Sequence, residues 1–380
     1  MRHRNMSVVL VGSGNREKAI RSKIYSGSRV RACHIIPWTN TGDVLAFLKE
    51  HKADLVINGP EAPIVGGLAD TLNALGFPTV GPTAAAARIE GSKLFGREIC
   101  EEAGVRTPEY WRIDSERDAE ALLANWEGPI VVKLDDLQDG KGVIIASTVE
   151  EALTTVSEAL PNGPVSIERF LVGEEISVFF ACDGIGARFI GDAGDKKRLL
   201  ENDEGPNTGS MGGWSPSTYL TVELLHTIRT KIVEPVLKIM RKRGCPYHGI
   251  LYLGLMLVKV GDTIVPYLIE FNCRWGDPEA QVILPRLKND LIDILIGTMT
   301  EGGLASLPPI EFHREKTVGI TIADHEYPKK GKRIQTVVGS GTTFAKARAN
   351  GYGQIKQMLY DGTLSKDKIR YRTDIAADIL

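Results

Sequence analysis

Leu268-Ile-Glu-Phe-Asn-Cys-Arg-Trp-Gly-Asp-Pro-Glu279 is the stretch on which the reading of this chain turns. Apolar Leu268 and Ile269 mark the end of a buried strand, and Gly276 with Pro278 marks the turn that follows. Alternate residues of a strand share a face, so the pattern predicts Glu270, Asn272 and Arg274 on one side. Two oxygen donors beside a fixed cation suit a magnesium–nucleotide centre with an anionic co-substrate. Mg2+ takes only one or two protein oxygens and leaves its other positions to phosphate and water. A salt-bridged strand end on the surface would carry the same residues, so the segment alone leaves both readings open.

Outward from it, the chain alternates strands and helices. Ser7-Val-Val-Leu-Val11 reads as a strand, Gly12-Ser-Gly-Asn15 as a glycine-rich turn, and the residues to Ile20 as a helix. A second strand covers 54–58 and a third 78–80, with helices over 41–52 and 66–75. This alternation predicts a parallel α/β unit in residues 1–90, with ligands beyond the carboxyl ends of its strands, at 12–15 and 58–63. After a helical stretch at 91–104, strands at 128–133 and 143–146 flank the loop 134–142. Strands at 165–171, 175–181 and 187–192 continue an antiparallel sheet. A helix over 222–243, strands over 249–260 and 264–272, and a helix over 290–298 complete a second unit, 91–307. Pro308-Pro309 marks a boundary, and 308–380 carries strands at 317–323 and 335–338 and a helix at 343–359.

With 380 residues the chain exceeds one ordinary core, and its formal charge of −2 gives no electrostatic footprint for nucleic acid or a membrane surface. The five cysteines are scattered without a CxxC pair, which argues against a disulfide framework or a structural zinc site and fits a reducing cytoplasm. No apolar run approaches a membrane span, and no signal-peptide core follows Met1-Arg-His-Arg-Asn5. The expectation is a soluble cytoplasmic protein.

Several segments carry chemistry. Asp139-Gly-Lys-Gly142 lies between two strands, where glycines admit phosphate oxygens to backbone N–H groups and a lysine neutralises them. It is not a Walker sequence, and a flexible hairpin tip would look the same. Lys133 ends a buried strand. Glu168 and Glu175 flank the link 169–174, a place where backbone holds adenine and a carboxylate holds ribose. Gly205-Pro-Asn-Thr-Gly-Ser-Met-Gly-Gly213 is either a linker or a ligand-wrapping loop. Asp195-Lys-Lys-Arg198 just before it supplies charge to the same pocket or forms a solvated turn. The histidines form no HExxH, no GxSxG elbow is present, and Gly12-Ser-Gly14 lacks the third glycine of a dinucleotide fingerprint.

Gly59-Pro-Glu-Ala-Pro63, Glu90-Gly-Ser-Lys93, Val132-Lys133 with Gly140-Lys-Gly142, Gly173-Glu-Glu175, Gly205-Pro-Asn-Thr-Gly209 with Met211-Gly212, and Glu270-Phe-Asn-Cys-Arg274 with Gly276-Asp-Pro-Glu279 run in one order along the chain, and Arg370-Tyr-Arg-Thr-Asp-Ile375 ends it. In that order they resemble the phosphoribosylamine–glycine ligase (glycinamide ribonucleotide synthetase) family of ATP-grasp enzymes. The resemblance implies an ATP-grasp fold of mixed α/β and α+β class. It divides the chain into an N-terminal Rossmann-like parallel domain over 1–90, an ATP-grasp domain over 91–307 with its lid at 107–172, and a shortened C-terminal α/β domain over 308–380. It implies ATP-dependent amide formation through an acyl phosphate, with Mg2+ as the metal and Mn2+ able to replace it. Lys93, Lys133, Gly140, Lys141 and Gly142 would hold phosphates. Glu168, Phe170, Leu171 and Glu175 would hold the nucleoside, and Glu270 and Asn272 the metal. Arg274, Asp195 and Lys133 would be catalytic. Gly12, Gly14, Asn15, Gly59, Pro60, Glu61, Asn207, Thr208, Gly209, Met211, Arg274 and Asp277 would meet the amino acid and the amine. The partners would be these small molecules, with the chain a monomer or weak homodimer.

The departures are local. A family turn resembling GNGGREHA reads Gly12-Ser-Gly-Asn-Arg-Glu-Lys-Ala19 here, so Asn15 brings a side chain where the family has hydrogen, and Lys18 replaces a histidine. Ile36-Pro-Trp-Thr-Asn40 stands in place of a segment resembling PGNAGT, and Lys196 replaces the histidine of QDHKR. Three readings follow: a divergent member acting on glycine and phosphoribosylamine, a paralogue that joins an amino acid to another amine, and a nucleotide-binding regulator without catalysis. A regulator predicts decay of Glu270, Asn272, Lys93 or Lys133, and all four are present.

Overall fold

The structure, a computed structural model, describes residues 5–134 and 142–379. Residues 8–11 are fully buried because they form the inner strand of a parallel sheet covered on both faces. That sheet contains β1 (Met6–Val11), β2 (Val30–Ile36), β3 (Leu55–Asn58) and β4 (Thr79–Val80), in the order β2-β1-β3-β4. β2 carries no strand alternation in the sequence. Its buried residues, Val30, Cys33 and Ile36, recur every third position, a spacing that mimics a helix instead of the alternation of a strand.

The next four strands, β5 (Tyr110–Ile113), β6 (Ile130–Leu134), β7 (Val143–Ala146) and β8 (Val165–Arg169), form a separate antiparallel sheet in the order β5-β8-β6-β7. Helices Glu116–Leu123 and Val149–Ala159 pack on it around Ile113, Leu123, Val132, Val156 and Ile167. Here the expectation needs correction: strand 165–169 does not continue into the strand at 175–181 but belongs to this smaller sheet. The link at 170–173 carries the chain from this sheet to the next, and Lys133 of β6 also donates to the Ile269 carbonyl of the large sheet at 3.4 Å.

The large sheet begins after that link with β9 (Glu174–Asp183) and β10 (Ala187–Asp195). A short hairpin of β11 (Arg198–Leu200) and β12 (Glu204–Asn207) follows, then β13 (Gly212–Ser215), β14 (His248–Val260) and β15 (Thr263–Asn272). With β16 (Lys316–Asp324), β17 (Arg333–Gly341) and β18 (Ile369–Arg370), the order is β15-β14-β9-β10-β13-β16-β17, and β18 pairs with β16. Alternation along β9 divides two cores. Ile176, Val178, Phe180 and Cys182 face helices Lys93–Ala103 and Glu234–Lys242, while Phe179 and Ala181 face the N-terminal unit.

The glycine-rich stretch 205–213 is therefore not all loop. Gly212 opens β13 at φ +158°, and a Cβ there would lie 2.6 Å from the Gly319 carbonyl oxygen, so this strand pairing requires glycine. Through β13 the strands of 308–380 extend the same sheet. They keep a core of their own, in which Val318, Ile320, Ile322 and Val337 meet helix Phe344–Tyr360.

Candidate active site

The end of β15, the turn after β1, the link 170–173 and the segment 195–210 surround a cleft of about 1080 Å³. Glu270 and Asn272 enter it from β15, with the Asn272 amide donating to Glu270 Oε1 at 3.2 Å. Burial would raise the Glu270 carboxyl, but Lys197 and Lys133, with Asn272 and Arg274, outweigh it and hold the group below the ordinary glutamate value. A charged carboxylate beside an amide oxygen is a donor set that fits Mg2+ with few protein ligands. Among the described residues no group of three or more acidic, histidine or cysteine side chains forms a denser metal site.

Arg274 lines the same cleft as Glu270 and Asn272, although regular β structure stops at Asn272. Its guanidinium reaches the N-terminal unit, with Nε 3.1 Å from Glu61 and 3.3 Å from Glu90. Glu61 in turn lies 3.6 Å from Arg16, whose Nη1 donates to the Trp275 carbonyl at 3.2 Å. Glu90 also accepts from the Cys273 N–H at 2.6 Å, and burial pushes its carboxyl up. Acidic and basic groups thus alternate across the junction of the first ninety residues with β15.

On the side of the small sheet, Lys133 is buried at the end of β6 and pairs with Glu168 at 2.7 Å, while Arg97 takes the other carboxylate oxygen at 2.6 Å. Burial opposes charge on Glu168, yet the two cations hold it ionised and below the usual range. Glu168 thus fixes Lys133 and Arg97 while bordering the same cleft. Lys93 donates to the Leu134 carbonyl at 2.6 Å, and Lys93 and Gly142 border the same pocket as Lys133 and Glu270. Phe170, Leu171 and Glu175 line the cleft at the link. Gly140 and Lys141 lie outside the described residues.

Across from them stands a cluster that the sequence showed only as a basic quartet. Lys197 pairs with Glu175, and burial of its ammonium is outweighed by Glu175 and Asp195, with Tyr252 and Glu270 beyond, so its pKa stays well above the lysine norm. Burial raises Asp195 to about 7, with Lys197 pulling it down and Glu279 and Glu175 pushing it up. Glu279, buried at the start of helix Glu279–Ile283, accepts from Tyr252 at 2.9 Å and Ser177 at 3.2 Å. Arg97, Lys197, Tyr252 and Glu279 are the site residues that no expectation named. Glu279 closes the opening motif and Lys197 sits inside the quartet; Arg97 and Tyr252 carry no local signal.

Of the expected substrate contacts, Gly12, Gly14, Asn15, Pro60, Glu61, Asn207, Thr208, Gly209 and Asp277 line the cleft. Two others stand behind its wall. Met211 is 1% exposed and packs with Ala323 and Tyr327. Gly59 lies under Glu17, whose Oε1 would be 2.4 Å from any Cβ. Asp277 has its two carboxylate oxygens engaged, by Gln281 at 2.5 Å and by Arg333 at 3.1 Å.

Residues 6–90 match the Phosphoribosylglycinamide synthetase N domain, and residues 91–280 match the ATP-grasp (A) domain of the same synthetase. The chain belongs to the phosphoribosylglycinamide synthetase family. The phosphoribosylamine–glycine ligase of Rhizobium meliloti is 33% identical over 422 aligned residues, covering 97% of this chain and 98% of that one. Those aligned positions exceed the 380 residues present here, so the relative carries segments that this family member lacks. The crystal structure of phosphoribosylamine–glycine ligase from Thermotoga maritima superposes with a TM-score of 0.80 at 26% identity, over 97% of this chain and all of that one. The ATP-grasp fold extends further: the biotin carboxylase domain of Hydrogenobacter thermophilus 2-oxoglutarate carboxylase, solved with magnesium ADP and bicarbonate, superposes at 0.64 with 17% identity, covering 87% of this chain and 77% of that one.

Proposed function

We propose that this family member is an ATP-dependent carboxylate–amine ligase that joins glycine to phosphoribosylamine, giving glycinamide ribonucleotide, ADP and phosphate. The observation that carries this reading is the single cleft in which the Glu270–Asn272 oxygen pair meets the cations Lys133, Lys197 and Arg274, in a chain that matches a phosphoribosylamine–glycine ligase along almost its whole length. A free carboxylate is a poor electrophile. Its oxygen bonds to the γ-phosphorus as the β–γ bridge breaks, and the resulting acyl phosphate is then open to the amine nitrogen. The new C–N bond forms as the carbonyl carbon releases phosphate, and the surplus amine proton passes to Asp195.

Positioning and charge neutralisation supply most of the catalysis in such a transfer. Lys93 and Lys133 hold phosphate oxygens, Phe170, Leu171 and Glu175 hold the nucleoside, and Glu270 with Asn272 holds the metal. Mg2+, which Mn2+ can replace, neutralises phosphate charge when bound. The N-terminal wall from Gly12 to Lys18, with Pro60 and Glu61, takes the amine, and the segment at Asn207, Thr208 and Gly209 takes the amino acid. The near-neutral charge of the chain supports small-molecule partners rather than nucleic acid or membrane, and no described helix is long and apolar enough to cross a membrane. Cytoplasmic action as a monomer or weak homodimer belongs to the same proposal.

ADP release with Mg-ATP and glycine, measured with and without freshly generated phosphoribosylamine, tests it. Amine-dependent ADP with glycinamide ribonucleotide seen by mass spectrometry is the expected result. ADP formed only with a different amine or amino acid overturns the assignment of substrates.

A further inference from the structure

Arg333 opens β17, more than fifty residues beyond the metal-site strand, yet its guanidinium reaches two separate walls of the cleft. Nη1 donates to the Gly209 carbonyl and, at 2.6 Å, to the Asp277 carbonyl; Nη2 donates to the Asp277 carboxylate at 3.1 Å. Gly209 lies flat beneath it: a Cβ there would sit 3.0 Å from the Arg333 guanidinium carbon. From the same C-terminal unit, the Tyr327 hydroxyl accepts the Gly209 N–H at 3.1 Å. Both backbone polar groups of Gly209 are therefore held by side chains from residues 308–380.

What these bonds steady is the reacting side of the cleft. Thr208, next to Gly209, donates from its N–H and its hydroxyl to the Lys197 carbonyl, each at 2.8 Å, and Ser210 donates to the Lys196 carbonyl at 3.3 Å. The loop is thus bonded to the segment that carries Asp195 and Lys197. Asp277 stands two residues before Glu279. Lys133, Glu168 and Arg97, by contrast, pair with one another and with the Leu268 and Ile269 carbonyls of β15.

We infer that Arg333 is a positioning residue that fixes the loop at 207–210 and the Asp277–Glu279 turn in one arrangement, so that the C-terminal unit sets the affinity for the amino acid while leaving nucleotide affinity alone. A guanidinium suits this task because its planar fork satisfies three acceptors at once, whereas an ammonium on the same stem satisfies them one at a time. The inference rests on the ligase reading only for the identity of the substrate whose constant moves.

The test uses the full chain and the variants Arg333→Ala, Arg333→Lys and Tyr327→Phe. Hydrogen exchange at 207–212 is expected to accelerate about tenfold in Arg333→Ala and less in Arg333→Lys. The KM for glycine is expected to rise about tenfold in Arg333→Ala, with partial rescue in Arg333→Lys and the KM for ATP held within about twofold. Unchanged exchange at 207–212 overturns the inference, and so does a KM for ATP that rises in step with that for glycine. If Arg333→Ala fails to fold, Arg333→Lys and Tyr327→Phe give the same comparison. If the unaltered chain binds Mg-ATP but makes no ADP with glycine and phosphoribosylamine, the ligase reading fails, and the exchange measurement still decides the role of Arg333.

Discussion

Arg274 Nε stands 3.1 Å from Glu61 and 3.3 Å from Glu90, so one guanidinium at the end of β15 holds two carboxylates from the first ninety residues. The contact makes Arg274 a fastening between units as well as a cation lining the cleft. Arg274→Lys keeps the charge but cannot span both carboxylates. It is expected to lower kcat/KM about a hundredfold while the chain still folds. Arg274→Ala leaves Glu61 and Glu90 with only the more distant Arg16 to offset their charge and is expected to cost about 3–5 kcal/mol, read by denaturant unfolding. An Arg274→Ala chain as stable as the parent would show that the junction is held elsewhere.

Glu270 is the residue whose loss isolates the metal contribution. Its carboxylate is kept ionised by Lys197 and Lys133, and Asn272 offers a neutral oxygen beside it. Glu270→Ala is expected to reduce ADP release at ordinary magnesium to about a hundredth or less, with partial recovery as Mg2+ is raised. Near-normal turnover across the magnesium titration would remove Glu270 from the metal site.

The motifs that were legible in the sequence are those whose chemistry is local. Glu270 and Asn272 sit two apart on one strand, and Gly12, Gly14 and Asn15 sit in one turn; strand and turn periodicity is enough to place them together. Arg274 illustrates the limit, since its place beside Glu270 and Asn272 could be read but its partners Glu61 and Glu90 come from the first ninety residues. Lys197 and Glu279 lay within quoted segments without being singled out, because their partners Glu175 and Tyr252 come from β9 and β14. Arg333 was invisible: nothing in Lys332-Arg333-Ile334 says that β17 will run beside β16 and bring it to Gly209. The fold followed the same rule. Buried runs and alternation found most strands, whereas β2, with a helix-like spacing, and β13, hidden in a glycine-rich stretch, needed the tertiary pairing to define them.

Asn15 tests the amine wall. It is the first residue of helix Asn15–Ser26, lines the cleft, and its Oδ1 lies 3.5 Å from Lys18 Nζ. Asn15→Gly removes bulk from the turn and frees the Lys18 ammonium for an anionic acceptor. The expected outcome is a kcat/KM for phosphoribosylamine that rises about threefold, with the constants for glycine and ATP unmoved. A change confined to ATP would separate this turn from the amine site.

Asp195 links pH to both rate and stability, in opposite directions. Burial, with Glu279 and Glu175, raises its carboxyl to about 7 although Lys197 pulls it down. As acceptor of the amine proton it must be ionised, so kcat/KM for the amine is expected to climb with pH through about 7 and level off above it. Asp195→Asn should abolish that limb and lower the rate about a hundredfold or more. For stability the sign reverses. The folded carboxyl binds its proton more tightly than the unfolded one, so between the ordinary aspartate range and about 7 the folded state holds more protons, and stability falls as pH rises through that window. Asp195→Asn does not ionise and escapes the penalty, so at about pH 8 the variant is expected to melt higher than the parent while turning over more slowly. Melting temperature and rate measured on the same preparations check both signs. A variant that loses stability as well as activity would make Asp195 a structural partner of Lys197, not the proton acceptor.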